Sequence, residues 1–319
     1  MYPLLLKAPV KDYLWGGTRL KDEFNFETEA AKAAEAWVLS CHKDGESIVR
    51  NGEYTGKMLS EVLDIWGEEG VGKKAAAFPY FPILIKLIDA KDRLSIQVHP
   101  DDTYALKNEG EYGKTEMWYV VDCEEGAELI YGFNKAIDSA EFARRIKDNS
   151  LTEVCNCVPV KKGEVFFISA GTLHAIGKGI LIAEIQQNSN STYRVSDYGR
   201  LGADGKPRPL HIDKALAVTK TVPPTVEYGN VGKVDKYSFG TIRTLAKCDL
   251  FTSELLSLDG YVAMSTDENS FQSLLMLSGE AVLSYVGGTM RIKKGDSVFI
   301  PANFKATITG NAEIICAKV

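Results

Sequence analysis

The chain has 319 residues, of which 45% are hydrophobic and 25% charged, with a formal net charge of −6. These are the proportions of an ordinary soluble globular protein with one large domain or two. Without a long basic run, a duplex nucleic-acid partner is excluded, although isolated lysines leave room for a small anionic substrate.

In chain order, Met1–Lys7 is too short and too soon charged for a signal peptide. Short apolar or β-branched runs edged by turn residues predict strands at 36–40, 83–88, 117–121, 165–168 and 180–185. The best apolar run, Phe81 to Ile88, is far below membrane-spanning length and is broken by Lys86, so no membrane association is expected. Met58 to Trp66 predicts an amphipathic helix with Met58, Leu59, Val62 and Trp66 on its apolar side. Ser139 to Lys147, acidic near its start and basic near its end, predicts a second helix, and Asp213 to Thr219 a short third. Six scattered cysteines suit reduced thiols and a cytoplasmic protein. The one close pair, Cys155 and Cys157, has no matching ligand pair nearby. After Pro223-Pro224 the chain reads as strand and turn, at 240–245, 251–256, 273–277, 281–285, 297–300 and 313–317.

A weak internal repeat organises these elements. Lys161-Lys162-Gly163-Glu164-Val165-Phe166-Phe167-Ile168-Ser169-Ala170 is similar to Lys293-Lys294-Gly295-Asp296-Ser297-Val298-Phe299-Ile300-Pro301-Ala302. Upstream of each lies a strand, a Gly-containing turn and a strand, at 118–131 and 274–285. The expected fold is therefore mainly β: two jelly-roll β-barrels, residues 1–225 with helical insertions and residues 226–319 without.

Chemistry concentrates in the first copy. Two of the four histidines, His99 and His174, fall in the stretches Leu94–Asp102 and Ala170–Ile176. The alternation of a strand sends Gln97 and His99 to one face. Two neutral imidazoles and a carboxylate, Glu116, are what zinc or a similar divalent ion needs, with a position left for water or substrate. Around the place of His174 the second copy has Lys305 and Ala306, so any metal belongs to the first barrel.

The Gly163–Ala170 run followed by His174 resembles the second motif of the cupin superfamily. The first cupin motif normally carries two histidines one residue apart and a glutamate soon after. Here Gln97 stands for the first histidine, and Glu116 arrives after an inserted stretch, 100–115. Four ordered segments, Leu94–Asp102, Gly113–Tyr119, Gly171–Ala175 and Gln186–Val195, make the chain similar over nearly its whole length to type I phosphomannose isomerases of the shorter bacterial form. That resemblance implies one Zn2+ per chain held by Gln97, His99, Glu116 and His174, and a catalytic Arg194. It also implies Lys86, Ser95 and Lys114 at the phosphate end of a pocket, with Glu184 as a further pocket carboxylate. The implied reaction interconverts mannose 6-phosphate and fructose 6-phosphate through a cis-enediol, with the sugar phosphate as the only partner and the oligomeric state unread. An electrophilic ion and a permanently charged guanidinium suit the enediolate. The base is open between a glutamate, for which Glu184 is the candidate, a metal-bound hydroxide and a coordinated histidine.

Each residue also has a plainer reading. His99 and His174 read singly as hydrogen-bonded structural histidines, Lys86 as a snorkelling edge lysine and Arg194 as the partner of Asp197. Trp15 and Trp118 read as core or pocket wall, and His42 and His211 as non-ligands. The alternative functions are another metal-dependent cupin enzyme, such as an iron-dependent dioxygenase or a related sugar-phosphate isomerase, and a non-catalytic sugar-binding cupin.

Overall fold

Side-chain alternation decides how this chain layers. The computed structural model describes residues 1–202 and 205–319. The strands Ile83–Ala90 and Ile180–Gln187 are buried along their whole length, and Glu116–Cys123 over all but its last two residues. They pair antiparallel as the centre of a six-stranded sheet, completed by Val165–Ile168 on one side and by Glu35–Leu39 and Val10–Lys11 on the other. Ile83, Ile85, Leu87, Met117, Tyr119, Ala183 and Ile185 point to one core. Ile88, Trp118, Val120, Ile180 and Ile182 point to another. A sheet covered on both faces needs apolar residues at consecutive positions, which is why these strands read as unbroken apolar runs.

The second face of this sheet looks across at a five-stranded sheet, ordered Cys155–Pro159, Glu128–Phe133, His174–Ala175, Ile96–Val98, Tyr193–Ser196. Its outer side, with Val98, Leu173 and Tyr193, is covered by Phe142 and Ile146 of the helix Ser139–Lys147 and by Ala215 of the helix Ile212–Val218. Together the two sheets form the first jelly roll. The seven strands from Val234–Tyr237 to Lys305–Lys318, with Leu4–Lys7 and Ile48–Val49, build a nine-stranded sheet around Leu274, Met276, Leu283, Val298 and Ile314. The N-terminal strand Leu4–Lys7 lies in that nine-stranded sheet with Leu4 opposite Phe299, and Ile48–Val49 pairs along its other edge.

The mainly β, two-barrel expectation holds, and the helix Ser139–Lys147 has the expected limits. Two features differ. The segments 273–277 and 281–285 are one continuous strand, Gln272–Tyr285, whose register shifts at Met276/Ser278. Gly279 there has φ +73°, and a Cβ on it would lie 2.0 Å from the Asn311 carbonyl oxygen, so the Ser-Gly pair bends a strand instead of turning it back. The inserted stretch 100–115 contains a helix, Asp102–Asn108, whose cap Asp101 accepts a hydrogen bond from the Tyr104 N–H at 2.9 Å. Among the described residues, no helix is long and apolar enough to cross a membrane.

Candidate metal centre and active site

The inward phase of each strand in the first barrel carries the polar residues. Glu116 and Trp118 share one phase of their strand; Lys86 is opposite both Glu184 and Trp37, and Glu184 is opposite Trp118. From the facing sheet, Gln97 is opposite both His174 and Arg194, and His99 lies just past the end of its strand. Lys86, Ser95, His99, Lys114, Glu116, His174 and Glu184 are all buried.

His99, Glu116 and His174 converge, with their candidate ligand atoms all within 4.8 Å of one another. The Glu116 oxygens lie 3.6 Å from His99 Nε2 and 3.5 Å from His174 Nε2. Each imidazole is oriented from behind. His99 Nδ1 is 2.8 Å from the Ser191 carbonyl oxygen and His174 Nδ1 is 2.9 Å from that of Thr172. Carbonyls only accept, so each Nδ1 carries the proton and each Nε2 turns a lone pair towards Glu116. Burial, reinforced for His99 by the Lys114 ammonium, holds both imidazoles below their ordinary range, His174 down to about 4. They are therefore neutral and able to ligate at neutral pH.

Glu116 is the member of this cluster best suited to a cation. Both of its oxygens are fully buried and neither is hydrogen-bonded, a costly state for a carboxylate. Burial and the neighbouring Glu184 carboxylate raise its pKa, and Lys114, 3.0 Å from Oε2, only partly offsets them. Two imidazoles and an under-satisfied carboxylate fit a divalent ion. Gln97 adjoins this set, with its amide nitrogen 3.3 Å from His174 Nε2 and its amide oxygen 3.4 Å from Ser95 Oγ.

Beside the triad lies a network of buried charge. Lys86 is 3.6 Å from both Glu35 and Glu184, and Lys114 is 3.8 Å from Glu184. Burial works to raise Glu184, but the Lys114 and Lys86 ammoniums outweigh it and hold the carboxyl well below the ordinary range. Its Oε1 also accepts from the Trp118 indole N–H at 3.3 Å. These groups open on a cavity of about 290 Å³ whose wall also includes Trp15, Ser95, Gln97, Arg194 and Arg208. A larger cleft of about 490 Å³ beside Glu124–Leu129 contains none of the candidate ligands.

All nine residues singled out in the sequence thus stand in or against one site. Arg194 does not take Asp197 as its hydrogen-bond partner; Asp197 binds Arg200 and Arg208, each at 2.6 Å. His42 lies beside Glu111, and His211 accepts from the Arg194 backbone N–H. The sequence reading missed Glu35, Trp37 and Arg208. Glu35 and Trp37 carry no local signal, because only the pairing of Trp37 with Lys86 and the 2.7 Å bond from the Trp37 indole to Glu35 bring them to the site.

Comparison with known proteins agrees with this geometry. Residues 4–129 match the family described as phosphomannose isomerase type I, catalytic domain, and residues 241–319 match mannose-6-phosphate isomerase, cupin domain. A mannose-6-phosphate isomerase of Streptococcus mutans is 35% identical, covering 99% of this chain and 98% of that one. Mannose-6-phosphate isomerase ManA of Bacillus subtilis is 36% identical over 99% of both chains. The crystal structure of a Bacillus subtilis mannose 6-phosphate isomerase superimposes with a TM-score of 0.91 at 36% identity over 100% of each chain. With relatives this similar from end to end, and a His-Glu-His cluster inside its first barrel, the chain belongs to the type I phosphomannose isomerase family.

Proposed function

We propose that this chain interconverts mannose 6-phosphate and fructose 6-phosphate using one zinc ion bound by His99, Glu116 and His174, with Gln97 as a fourth ligand. The observation that carries the metal is Glu116, a fully buried carboxylate without a hydrogen bond between two oriented imidazoles. The names of the relatives support the substrate. Residues 1–225 hold the chemistry, and residues 226–319 buttress them.

The reaction removes a proton from C2 of the aldose and returns it at C1 through a cis-enediol, while a hydroxyl proton passes between the two oxygens. The bound ion supplies Lewis-acid stabilisation of the negative charge that grows on those oxygens. A half-turn of the Gln97 amide, whose O and N have nearly the same shape, would let its oxygen serve as the fourth ligand. Arg194, opposite Gln97, adds a fixed positive charge beside the same oxygens. Glu184 is ionised, lines the cavity and leaves Oε2 without a hydrogen bond; that oxygen is the proposed proton acceptor. Lys86, Lys114 and Ser95 contact the substrate, and the two lysines keep Glu184 charged. Trp15 and Trp118 close the apolar wall against water.

A coupled assay with mannose 6-phosphate, with and without chelator, tests this reading. Activity should disappear on chelation and return with zinc, and His174→Ala should lose bound metal. Full turnover by a chelated sample free of metal would reject the metal-dependent reading.

A further inference from the structure

The strand Tyr193–Ser196 pins a later segment against the mouth of the cavity. Arg194 donates from its backbone N–H to His211 Nδ1 at 3.1 Å, accepts from the His211 N–H at 2.8 Å, and donates from Nη1 to the Pro209 carbonyl at 2.9 Å. Arg208 is thereby held at the cavity wall beside Arg194, close enough that its charge, after burial, works against that of Arg194. Arg208 grips Asp197 through Nε at 2.7 Å and Nη2 at 2.6 Å. Among the described residues its Nη1 makes no hydrogen bond. Arg194 Nε is a buried donor that also has none.

The two sides of the cavity differ in how far their cations are satisfied. Lys86 already faces Glu35 and Glu184, and Lys114 faces Glu116 and Glu184. On the other side Arg208 has one carboxylate, Asp197, which Arg200 also claims while reaching Asp92 at 3.7 Å. Lys114 lies 3.3 Å from His99 Nε2, inside the metal centre. A phosphate held there would occupy the place that the carbonyl end of the sugar must reach. The reacting carbons and the phosphate are at opposite ends of a hexose 6-phosphate.

We infer that Arg208 is the phosphate anchor of this site, and that Lys86 and Lys114 serve the sugar end. This rests on the sugar-phosphate reading above. A guanidinium held by a carboxylate through two of its nitrogens presents its third in a fixed direction, which suits a phosphate oxygen. Asp197 is then a positioning residue: it sets the plane of Arg208 without touching the substrate.

The test compares Arg208→Gln, Arg208→Lys, Asp197→Asn and Lys86→Gln in the zinc-loaded enzyme. It reads KM and kcat for mannose 6-phosphate and the inhibition constant of inorganic phosphate. Arg208→Gln should raise both KM and the phosphate inhibition constant roughly ten- to a hundredfold, the loss of a charge-assisted hydrogen bond. Its kcat and zinc content should stay near wild type, Arg208→Lys should recover part of the loss, and Lys86→Gln should leave phosphate inhibition in place. An unchanged inhibition constant in Arg208→Gln overturns the inference, as does a larger loss in Lys86→Gln. A fall in kcat alone, shared by Arg208→Gln and Asp197→Asn, overturns it too and leaves Arg208 a staple of the chain. If Arg208→Gln does not fold, Arg208→Lys decides, with an unchanged inhibition constant again negative. A wild-type enzyme that binds phosphate through Arg208 but does not turn over mannose 6-phosphate would retain the anion site and reject the proposed reaction.

Discussion

Glu184→Gln is the perturbation that interrogates the buried charge network most directly. The side chain keeps its shape and its acceptor for the Trp118 indole, but the negative charge between Lys86 and Lys114 disappears. Breaking a buried ion pair by removing one partner typically costs about 3–5 kcal/mol, because the other charge stays buried. Here each lysine retains one carboxylate, Glu35 at 3.6 Å for Lys86 and Glu116 at 3.0 Å for Lys114. The expected loss is therefore lower, about 2–4 kcal/mol. For a chain of this size that corresponds to a thermal midpoint lower by about 3–6 °C. Calorimetry of wild type, Glu184→Gln, Lys86→Met and the double variant measures it. The double variant should be less destabilised than the sum of the singles by about 1–3 kcal/mol, since Lys86 no longer needs Glu184. A midpoint within about 1 °C of wild type in Glu184→Gln, with simple additivity in the double variant, would refute the idea that these charges depend on one another.

Two further outcomes follow from contacts outside the metal centre. Burial works to raise Asp197, but hydrogen bonds from Arg208 and Arg200 outweigh it and hold its carboxyl below the ordinary range. A depressed carboxylate contributes stability above its unfolded pKa of about 3.9 and loses it as pH falls through the folded value. The midpoint gap between wild type and Asp197→Asn should therefore be full near neutrality and close below about pH 4; a gap of constant size across that range contradicts the assignment. Phe299 is fully buried, stacks on Phe271 with ring centroids 4.9 Å apart, and lies 6.3 Å from Phe81 and 6.4 Å from Trp66. Phe299→Ala should cost about 3–5 kcal/mol in denaturant unfolding, and a loss below about 1 kcal/mol would show that this aromatic cluster does not couple the two barrels.

Much of this architecture is legible in the sequence because its strands obey simple local rules. Ile83–Ala90 and Ile180–Gln187 are covered on both faces, so their apolar runs stand out whatever they pair with. The helix Ser139–Lys147 announces both ends, with Asp138 accepting from the Glu141 N–H at the start and Arg144, Arg145 and Lys147 in the last turn. The helix Asp102–Asn108 went unread although Asp101 is a sound N-cap, because an inserted stretch between ligands invites reading as a loop. Charge neighbours are harder still. That Lys114 stands beside His99 and Glu116, or that Arg208 stands beside Arg194, depends on pairings between distant segments. Nothing in the periodicity of Lys206-Pro207-Arg208-Pro209 points to a pocket.

The internal repeat shows what a barrel copy preserves and what it is free to lose. In both copies the acid of the repeated turn does the same work: Glu164 accepts from the Lys161 N–H and Asp296 from the Lys293 N–H, each at 2.8 Å, around glycines at φ +87° and +92°. The strand that follows pairs in the same register, Ile168 opposite Glu116 in the first barrel and Ile300 opposite Gln272 in the second. Gln272 therefore occupies the place of Glu116, and Ala306, six residues after Ile300 as His174 is six after Ile168, occupies the place of the histidine. The repeated residues hold a turn and a register, which any barrel of this kind needs. The residues that differ are those at the places of Glu116 and His174, two members of the His-Glu-His cluster. A neutral amide and a methyl group leave the second copy without the carboxylate and imidazole on which a divalent site depends. Resemblance between the copies is thus evidence about the frame, and the substitutions within it fall where the first barrel has its His-Glu-His cluster.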